Sequence, residues 1–471
     1  VVVYKFGGAL ARTKRGLEAL VRIVRVAEKR EATRARRKTK AGGVTHGIVL
    51  VTSAIGHTTR HLARAAELAE EGRLREAEDM LERTIAQHQQ LAASLQLEAE
   101  AELFERFDSI SGEIAGLLEG IAIVRELSPR TRDAILASGE RLASALILAL
   151  LRDRELPIHA FDAANVIVTD EQFGHASPII EEIALRAEKY ILPQLRRSRI
   201  ALIEGFAGAT REGITTTMGT ESSDLTATLL ASVLGAEEVV IWKVLPGLYT
   251  ADPELVKTPK LIRSLSFDEA EEIGRRGARI LFPSFAHPLK ESRTLLRIAT
   301  PFGQAVSASS ARHTVLQREV TVSTRRAAPL AVAIEQRLVP LSIAALLTAI
   351  PPRSARAASP LQSLLRNAAY SWTSAEETHL VVRKDDWRAL ARELSKQELS
   401  YTEGTMLTAL SLIFRRTGKN NDAVLLATMA RSLRSFFSVR AILPFERSII
   451  ALVDDAEGLA ALRKLHQDLF G

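Results

Sequence analysis

A lysine followed closely by two glycines at the end of an apolar run, Lys5-Phe6-Gly7-Gly8, is the first arrangement whose residue types could do chemistry. Glycines let backbone N–H groups approach an anion, a following helix adds its positive end, and a lysine sets a point charge on a phosphoryl group in transit. The spacing is not that of a Walker A loop, and a plain strand-to-helix turn accounts for the same residues. Thr52-Ser53-Ala54-Ile55-Gly56-His57-Thr58-Thr59 places small hydroxyl residues and a glycine after a second apolar run. They suit a ligand site at a strand's C-terminal end, or equally a capped helix start. In Ser138-Gly139-Glu140 the carboxylate could hold an ammonium group or simply favour a helix dipole. Gly205-Phe206-Ala207-Gly208-Ala209-Thr210 leads to the hydroxyl-rich tract Thr215–Asp224, and Trp242–Pro253 carries Pro-Gly and Asp-Pro turns. His57 has no His, Asp or Glu neighbours at metal-ligand spacing and reads as a surface residue.

Such groups converge only if several strand ends face one side of a sheet. The first 300 residues do alternate short apolar runs with longer helical patterns, which predicts an α/β domain. Strands are expected at 1–6, 45–51, 157–161, 200–203 and 239–242, with a helix over 17–28 and a helical insert over about 61–127. Ser and Asp open a further helix at Ser223–Leu234, and Gly235 follows its end. Beyond residue 311 the segments shorten and a strand–helix–strand pattern occurs twice. The expected domains are therefore 1–311, 312–397 and 398–471, with a strand at Leu341–Ile350 and a helix at Pro360–Asn367 inside the second.

At 471 residues the chain exceeds one ordinary core, and 46% apolar with 25% charged residues is a globular composition. It has no cysteine, which excludes disulfides, thiol catalysis and thiolate metal sites, and fits a reducing compartment. No uninterrupted run of about 18 apolar residues occurs, so no membrane partner is expected. The N-terminus reads as a first strand rather than a signal peptide. Of the net charge of +7, the segment Glu28–Lys40 carries +5. It predicts a solvated charged face, and without interleaved aromatics it gives no ground for a nucleic-acid partner.

In their order and spacing, these motifs resemble those of the aspartate kinases of the amino acid kinase superfamily. The matching signatures are Lys-Phe-Gly-Gly, Ser-Ala-x-Gly-x-Thr-Thr, Gly-Glu, Gly-Phe-x-Gly-Ala, Thr-Thr-Thr-x-Gly with Ser-Asp four residues on, and Pro-Gly-x-Tyr-Thr-x-Asp-Pro. Gly277-Ala278-Arg279-Ile280-Leu281 is similar to the segment that ends the kinase domain. The helical insert and the ending Leu465-His466-Gln467-Asp468-Leu469-Phe470 are most similar to the lysine-sensitive type. The resemblance implies an α/β amino acid kinase-like sandwich with a helical insert, followed by two ferredoxin-like (ACT) α+β modules. It implies phosphorylation of the L-aspartate β-carboxylate by ATP, a first step toward lysine, threonine and methionine, in the cytoplasm. By position, Lys5, Gly7 and Gly8 would contact the phosphates, and Ser53 would lie in the substrate and phosphoryl region. Glu140 would hold the substrate ammonium, and Ser223 and Asp224 would border the substrate. Tyr249 and Asp252 would sit by the nucleoside with Lys260 toward its phosphates, and Mg²⁺ would ride on nucleotide oxygens, with no protein-built metal site. A lysine effector and a homodimer through the ACT region are the implied partners.

The chain departs from the family pattern at several positions. Ala9 and Leu10 stand for Thr-Ser, and Thr220-Glu221-Ser222 for an Arg-Gly-Gly run whose arginine would clamp a carboxylate. Lys243-Val244 replaces Thr-Asp, and Phe282 replaces a histidine. In the tail, Ile350-Pro351-Pro352-Arg353-Ser354 stands for a glycine-rich effector loop, and an acidic residue is missing around Tyr370–Thr373. Three readings stay open: an aspartate kinase, a catalytically weak paralogue serving as a regulatory or assembly partner, and a kinase retuned to another carboxylate such as an N-acyl amino acid.

Overall fold

The computed structural model describes residues 1–38, 46–219, 222–277, 285–302, 313–320, 328–344, 368–373, 377–396, 400–415 and 422–471. Two compact units emerge. The first comprises Val1–Leu248, Leu261–Glu271 and Ile280–Val320; the second comprises Tyr249–Lys260, Glu272–Arg279 and Thr321–Gly471. Two short stretches of the expected first domain thus belong to the second unit.

The first unit contains strands β1 (Val2–Phe6), β2 (Ile48–Thr52), β3 (Ile158–Phe161), β4 (Ile200–Glu204), β5 (Ala207–Ala209), β6 (Thr215–Thr217), β7 (Glu238–Trp242), β8 (Ser264–Ser266), β9 (Leu295–Ala299) and β10 (His313–Gln317). Eight of them form one sheet in the order β3-β4-β2-β1-β7-β9-β10-β8, while β5 and β6 form a separate antiparallel pair. From β3 to β9 every pairing is parallel, and β10 runs antiparallel to β9. Parallel strands covered on both faces read as continuous apolar runs, as Val-Val-Val and Ile-Val-Leu-Val do. Alternation still sorts their side chains. Val2, Tyr4 and Phe6 enter one hydrophobic cluster, so Val3 and Lys5 face the other side of the sheet.

Helices α1 (Gly8–Ala11), α2 (Lys14–Lys38), α3 (Thr58–Glu70), α4 (Leu74–Leu95), α5 (Glu100–Val124), α6 (Pro129–Asp153), α7 (Ile180–Arg186), α8 (Leu192–Ser198) and α9 (Ser223–Val233) complete this unit, with α10 (Phe267–Arg275) contributing its residues to Glu271. In α5, Phe107, Ile110, Ile114, Leu118 and Ile121 recur at three- and four-residue spacing and are buried. The α6 helix starts with Pro129 behind Ser128, whose side chain accepts the Thr131 N–H. This helix is long and apolar enough to cross a bilayer by composition, but 72% of that window is buried inside the protein as core.

Of the basic segment after Glu28, the described side chains Arg30 and Arg34 are partly exposed and ion-paired. The α2 helix carries this segment to Lys38, and Arg34 reaches Glu31 at 3.2 Å and Glu237 at 2.9 Å. Arg30 also pairs with Glu31, which is itself buried.

In the second unit, β11 (Ala328–Ala344), β12 (Tyr370–Thr373), β13 (Glu377–Arg383), β14 (Tyr401–Glu403), β15 (Leu407–Arg415), β16 (Val439–Pro444) and β17 (Ser448–Asp454) form one sheet. Its order is β12-β13-β11-β15-β17-β16, with β14 also on β11. Helices α11 (Lys384–Lys396), α12 (Asp422–Arg434) and α13 (Gly458–Phe470) accompany it. Ile449, Ala451 and Val453 of β17 enter one cluster, while Ile450 and Leu452 enter another, so this strand is buried on both faces. Of the expected strand at 341–350, residues 341–344 are the end of the seventeen-residue β11, and the rest lies outside the described residues, as do the expected helix at 360–367 and the loop at 350–354.

Candidate active site

Four neighbouring strands, β4-β2-β1-β7, bring their C-terminal ends to one edge of the first sheet. Ligands of open α/β sheets bind at this edge. Each strand delivers a polar group there: Glu204 from β4, Ser53 just beyond β2, Lys5 from β1 and Lys243 just beyond β7. The α9 helix packs against β1, β2 and β7 and supplies Ser223 and Asp224 from its first turn.

Asp224 is the electrostatic centre. Its Oδ1 lies 2.7 Å from Lys5 Nζ and its Oδ2 lies 2.9 Å from Lys243 Nζ. Burial by itself would raise this carboxyl, but Lys243 and Lys5 together hold it below the usual aspartate value. The residue was expected to help cap α9. Instead the N-cap is Ser222, two residues earlier, and it turns its hydroxyl onto the Gly219 carbonyl at 2.7 Å. Ser53 Oγ and Ser223 Oγ are hydrogen-bonded at 2.8 Å, tying the end of β2 to the same helix. Gly205 makes that approach possible, since a Cβ there would sit 2.4 Å from Ser223 Cβ. Phe206 follows with φ of 63°, a left-handed conformation that side chains other than glycine rarely adopt.

Glu140 projects from α6 and is buried. Its Oε2 has no hydrogen-bond partner among the described residues. Desolvation pushes the carboxyl up to about 8, opposed by the Ala54 backbone N–H and the charge of Lys5, and assisted by Glu204. A buried carboxyl with an unused oxygen is a socket for a cation or a hydrogen-bond donor. Seven residues earlier on α6, Asp133 accepts the N–H groups of Gly174 and Thr217 and the Thr217 hydroxyl at 2.7–2.8 Å. That carboxylate anchors the β5–β6 pair.

The two glycines differ in what they do. A Cβ on Gly8 would stand 1.9 Å from the Ala54 carbonyl oxygen, so the glycine lets the loops after β1 and β2 touch. A Cβ on Gly7 would meet only ordinary contacts, 3.6 Å from the Trp242 carbonyl oxygen and 3.9 Å from Lys5 Nζ. Gly7 therefore keeps space open beside the lysine. Its N–H, expected to face an anion, donates to the Trp242 carbonyl at 3.3 Å. The following α1 has four residues and offers no helix terminus of consequence. Positive charge at this edge comes from ammonium groups.

Lys5, Ser53, Glu140, Ser223 and Asp224 thus lie within the first unit, with Gly7 and Gly8. Tyr249, Asp252 and Lys260 belong to the second. There Asp252 caps its own turn through the Glu254 N–H at 2.8 Å, and Lys260 Nζ donates to the Phe470 carbonyl. In the same unit Thr250 Oγ1 meets His466 Nε2 at 2.9 Å, and Arg463 Nε donates to the Leu255 carbonyl at 3.0 Å. His57 is exposed. Thr220, Glu221 and Phe282 lie outside the described residues.

Sequence reasoning did not single out Glu204, whose carboxyl desolvation pushes up to about 7 while the Ala163 N–H holds one oxygen at 2.7 Å. It noted Lys243 only as a departure. Among the described residues, no three His, Asp or Glu side chains are grouped to hold a metal ion.

The family model described as "Amino acid kinase family" matches residues 1–300. Lysine-sensitive aspartokinase 3 of Escherichia coli is 37% identical over 188 residues, 39% of this chain and 42% of that protein. The aspartokinase of Chlamydia trachomatis is 29% identical over 301 residues, 64% of this chain and 62% of its own length. These alignments therefore span less than two thirds of the relatives. The crystal structure of E. coli aspartokinase III with aspartate and ADP superposes over 100% of both chains with a TM-score of 0.77 at 24% identity, a likeness of fold. The same enzyme with lysine and aspartate gives a TM-score of 0.73 at 25% identity, again over 100% of both chains.

Proposed function

Because the chain belongs to the amino acid kinase family, we propose that it transfers the γ-phosphoryl group of ATP to the β-carboxylate of L-aspartate, giving 4-phospho-L-aspartate and ADP. The observation that carries this reading is the gathering of two lysines on Asp224 beside the Ser53–Ser223 pair, with Glu140 buried in the same unit.

A carboxylate acceptor is already ionised at neutral pH and needs no general base. The bond from the bridging oxygen to the γ-phosphorus breaks, a bond from a carboxylate oxygen to that phosphorus forms, and ADP leaves with the electron pair. What the protein must do is align two anions and neutralise their repulsion. In this reading Lys5 faces the phosphoryl group, and Asp224 fixes its ammonium at 2.7 Å. Gly7 leaves room beside that ammonium and Gly8 holds the adjoining loops together. Ser53 and Ser223 offer hydroxyls to the acceptor, and the open oxygen of Glu140 receives its ammonium. By the resemblance, Tyr249 and Asp252 would flank the nucleoside, with Lys260 toward its phosphates. Mg²⁺ carried by the nucleotide would supply further neutralisation of phosphate charge, with no protein side chain assigned to hold it.

Hydroxamate trapping of the acyl phosphate with ATP, Mg²⁺ and a panel of carboxylates tests the proposal. Product with aspartate is expected. Product only with another acid points to a retuned kinase, and nucleotide binding without product points to a regulatory or assembly partner. Thr220→Arg, which restores the family's carboxylate clamp, is expected to lower the KM for aspartate; an unchanged KM counts against a missing clamp. The reading extends to a cytoplasmic homodimer on the way to lysine, threonine and methionine, with lysine as effector. For lysine the support is the E. coli structure solved with lysine and aspartate. Calorimetric titration with lysine, threonine and methionine tests this part, and no heat from any of them removes it.

A further inference from the structure

Lys243 is a lysine where the resemblance leads one to expect a small hydroxyl residue, and its place in the fold is specific. It follows β7 directly, β7 pairs with β1 in parallel register with Lys5 opposite Ile241, and so the two lysines leave neighbouring strands at the same edge. Their ammonium groups meet the two oxygens of one buried carboxylate, Lys5 at 2.7 Å and Lys243 at 2.9 Å. The Lys243 side chain is 22% exposed against 7% for Lys5, which places it nearer the mouth of the site. The lysine that the resemblance assigns to the nucleotide phosphates, Lys260, has its ammonium on the Phe470 carbonyl.

We propose that Lys243 is a second phosphoryl-binding cation, held by Asp224 as one of a pair with Lys5 and adding to the neutralisation of phosphate charge at this edge. A transferring phosphoryl group carries negative charge on three oxygens, and a single ammonium contacts only part of it. Two ammonium groups on one rigid carboxylate are pre-positioned and need no reorganisation when that charge arrives. Val244, which follows, is apolar and exposed, so this strand end supplies its positive charge through Lys243.

The proposal rests on the kinase reading, and the test separates the two. The full-length protein, with Mg²⁺, is titrated calorimetrically with ADP and with a non-hydrolysable ATP analogue, in the wild type and in K243Q, K243R and K243T. Wild type is expected to prefer the ATP analogue. K243Q and K243T are expected to lose about tenfold in affinity for that analogue with little change for ADP, as befits one charge-assisted hydrogen bond to the γ-phosphate. K243R is expected to retain most of the preference. Melting temperatures report folding, and K243T decides if K243Q does not fold. An analogue-to-ADP ratio that is unchanged in the variants, or absent in wild type, overturns the assignment of Lys243 alone. No binding of either nucleotide to wild type overturns the kinase reading, and this assignment with it.

Discussion

Substrate binding should expel a proton, and Glu140 is where it comes from. In the free protein the carboxyl is buried, one oxygen has no partner among the described residues, and desolvation has raised it from 4.5 to about 8. That shift corresponds to about 5 kcal/mol of preference for the neutral form. At pH 7 about nine tenths of the molecules then carry the proton. An incoming ammonium needs the carboxylate, so binding one aspartate should release about 0.9 proton at pH 7 and about 0.1 at pH 9. Apparent affinity should accordingly improve about tenfold per unit as pH rises toward 8, then level off. Calorimetric titration of the non-turning-over complex with aspartate and ADP, in phosphate and in Tris, gives the proton count from the dependence of the heat on buffer ionisation. Glu140→Gln should abolish the release and weaken aspartate binding by about 10- to 100-fold through the lost charged partner. Tight binding by wild type at pH 7 with no proton released, or equal release from the Gln variant, would refute this account of the site.

The two raised carboxyls also set a stability profile. Both folded-state values, about 8 for Glu140 and about 7 for Glu204, lie above the ordinary glutamate value of 4.5. Their contribution is therefore full below that value and lost as pH rises through 7 and 8. Urea midpoints between pH 4.5 and 8.5 should fall less steeply in E204Q, and an unchanged slope would count against its burial. Asp224→Asn removes the shared partner of Lys5 and Lys243. Acyl phosphate formation, read as hydroxamate, should drop by about a hundredfold or more, with a clear loss of melting temperature; near-normal turnover would be incompatible with the mechanism. Gly8→Ala forces a methyl against the Ala54 carbonyl and should destabilise the fold by several degrees, whereas Gly7→Ala should melt like wild type but bind nucleotide more weakly.

The central strands were legible because their side chains are apolar on both faces, and α9 because its ends carry strong local signals. Long-range partners were not. Asp224 at a helix start invites a capping role, and only the parallel pairing of β1 with β7 brings Lys5 and Lys243 onto it. A lysine just after a strand that neighbours the Lys5 strand was the available signal. Glu204 ends an apolar strand, and nothing local indicates that it is buried. Asp133 looks like an ordinary polar residue near the start of α6, while its partners Gly174 and Thr217 lie 41 and 84 positions away. The length of β11 was hidden by its register shifts, at Pro329/Ala331 and Glu335/Leu338, which break the two-residue rhythm. Arg337, with φ of 60°, sits within the second.

The interleaving of the two units bears on how the chain can be divided. The backbone passes from one to the other five times, at 248/249, 260/261, 271/272, 279/280 and 320/321. No single scissile position separates them, so a fragment ending near residue 311 leaves Tyr249–Lys260 without the C-terminal helix that ties Thr250, Leu255 and Lys260. Exchanging the tail between relatives then means exchanging that twelve-residue stretch along with it. Fusion boundaries chosen by motif alone cut through a shared piece, and the heritable module here is discontinuous in sequence.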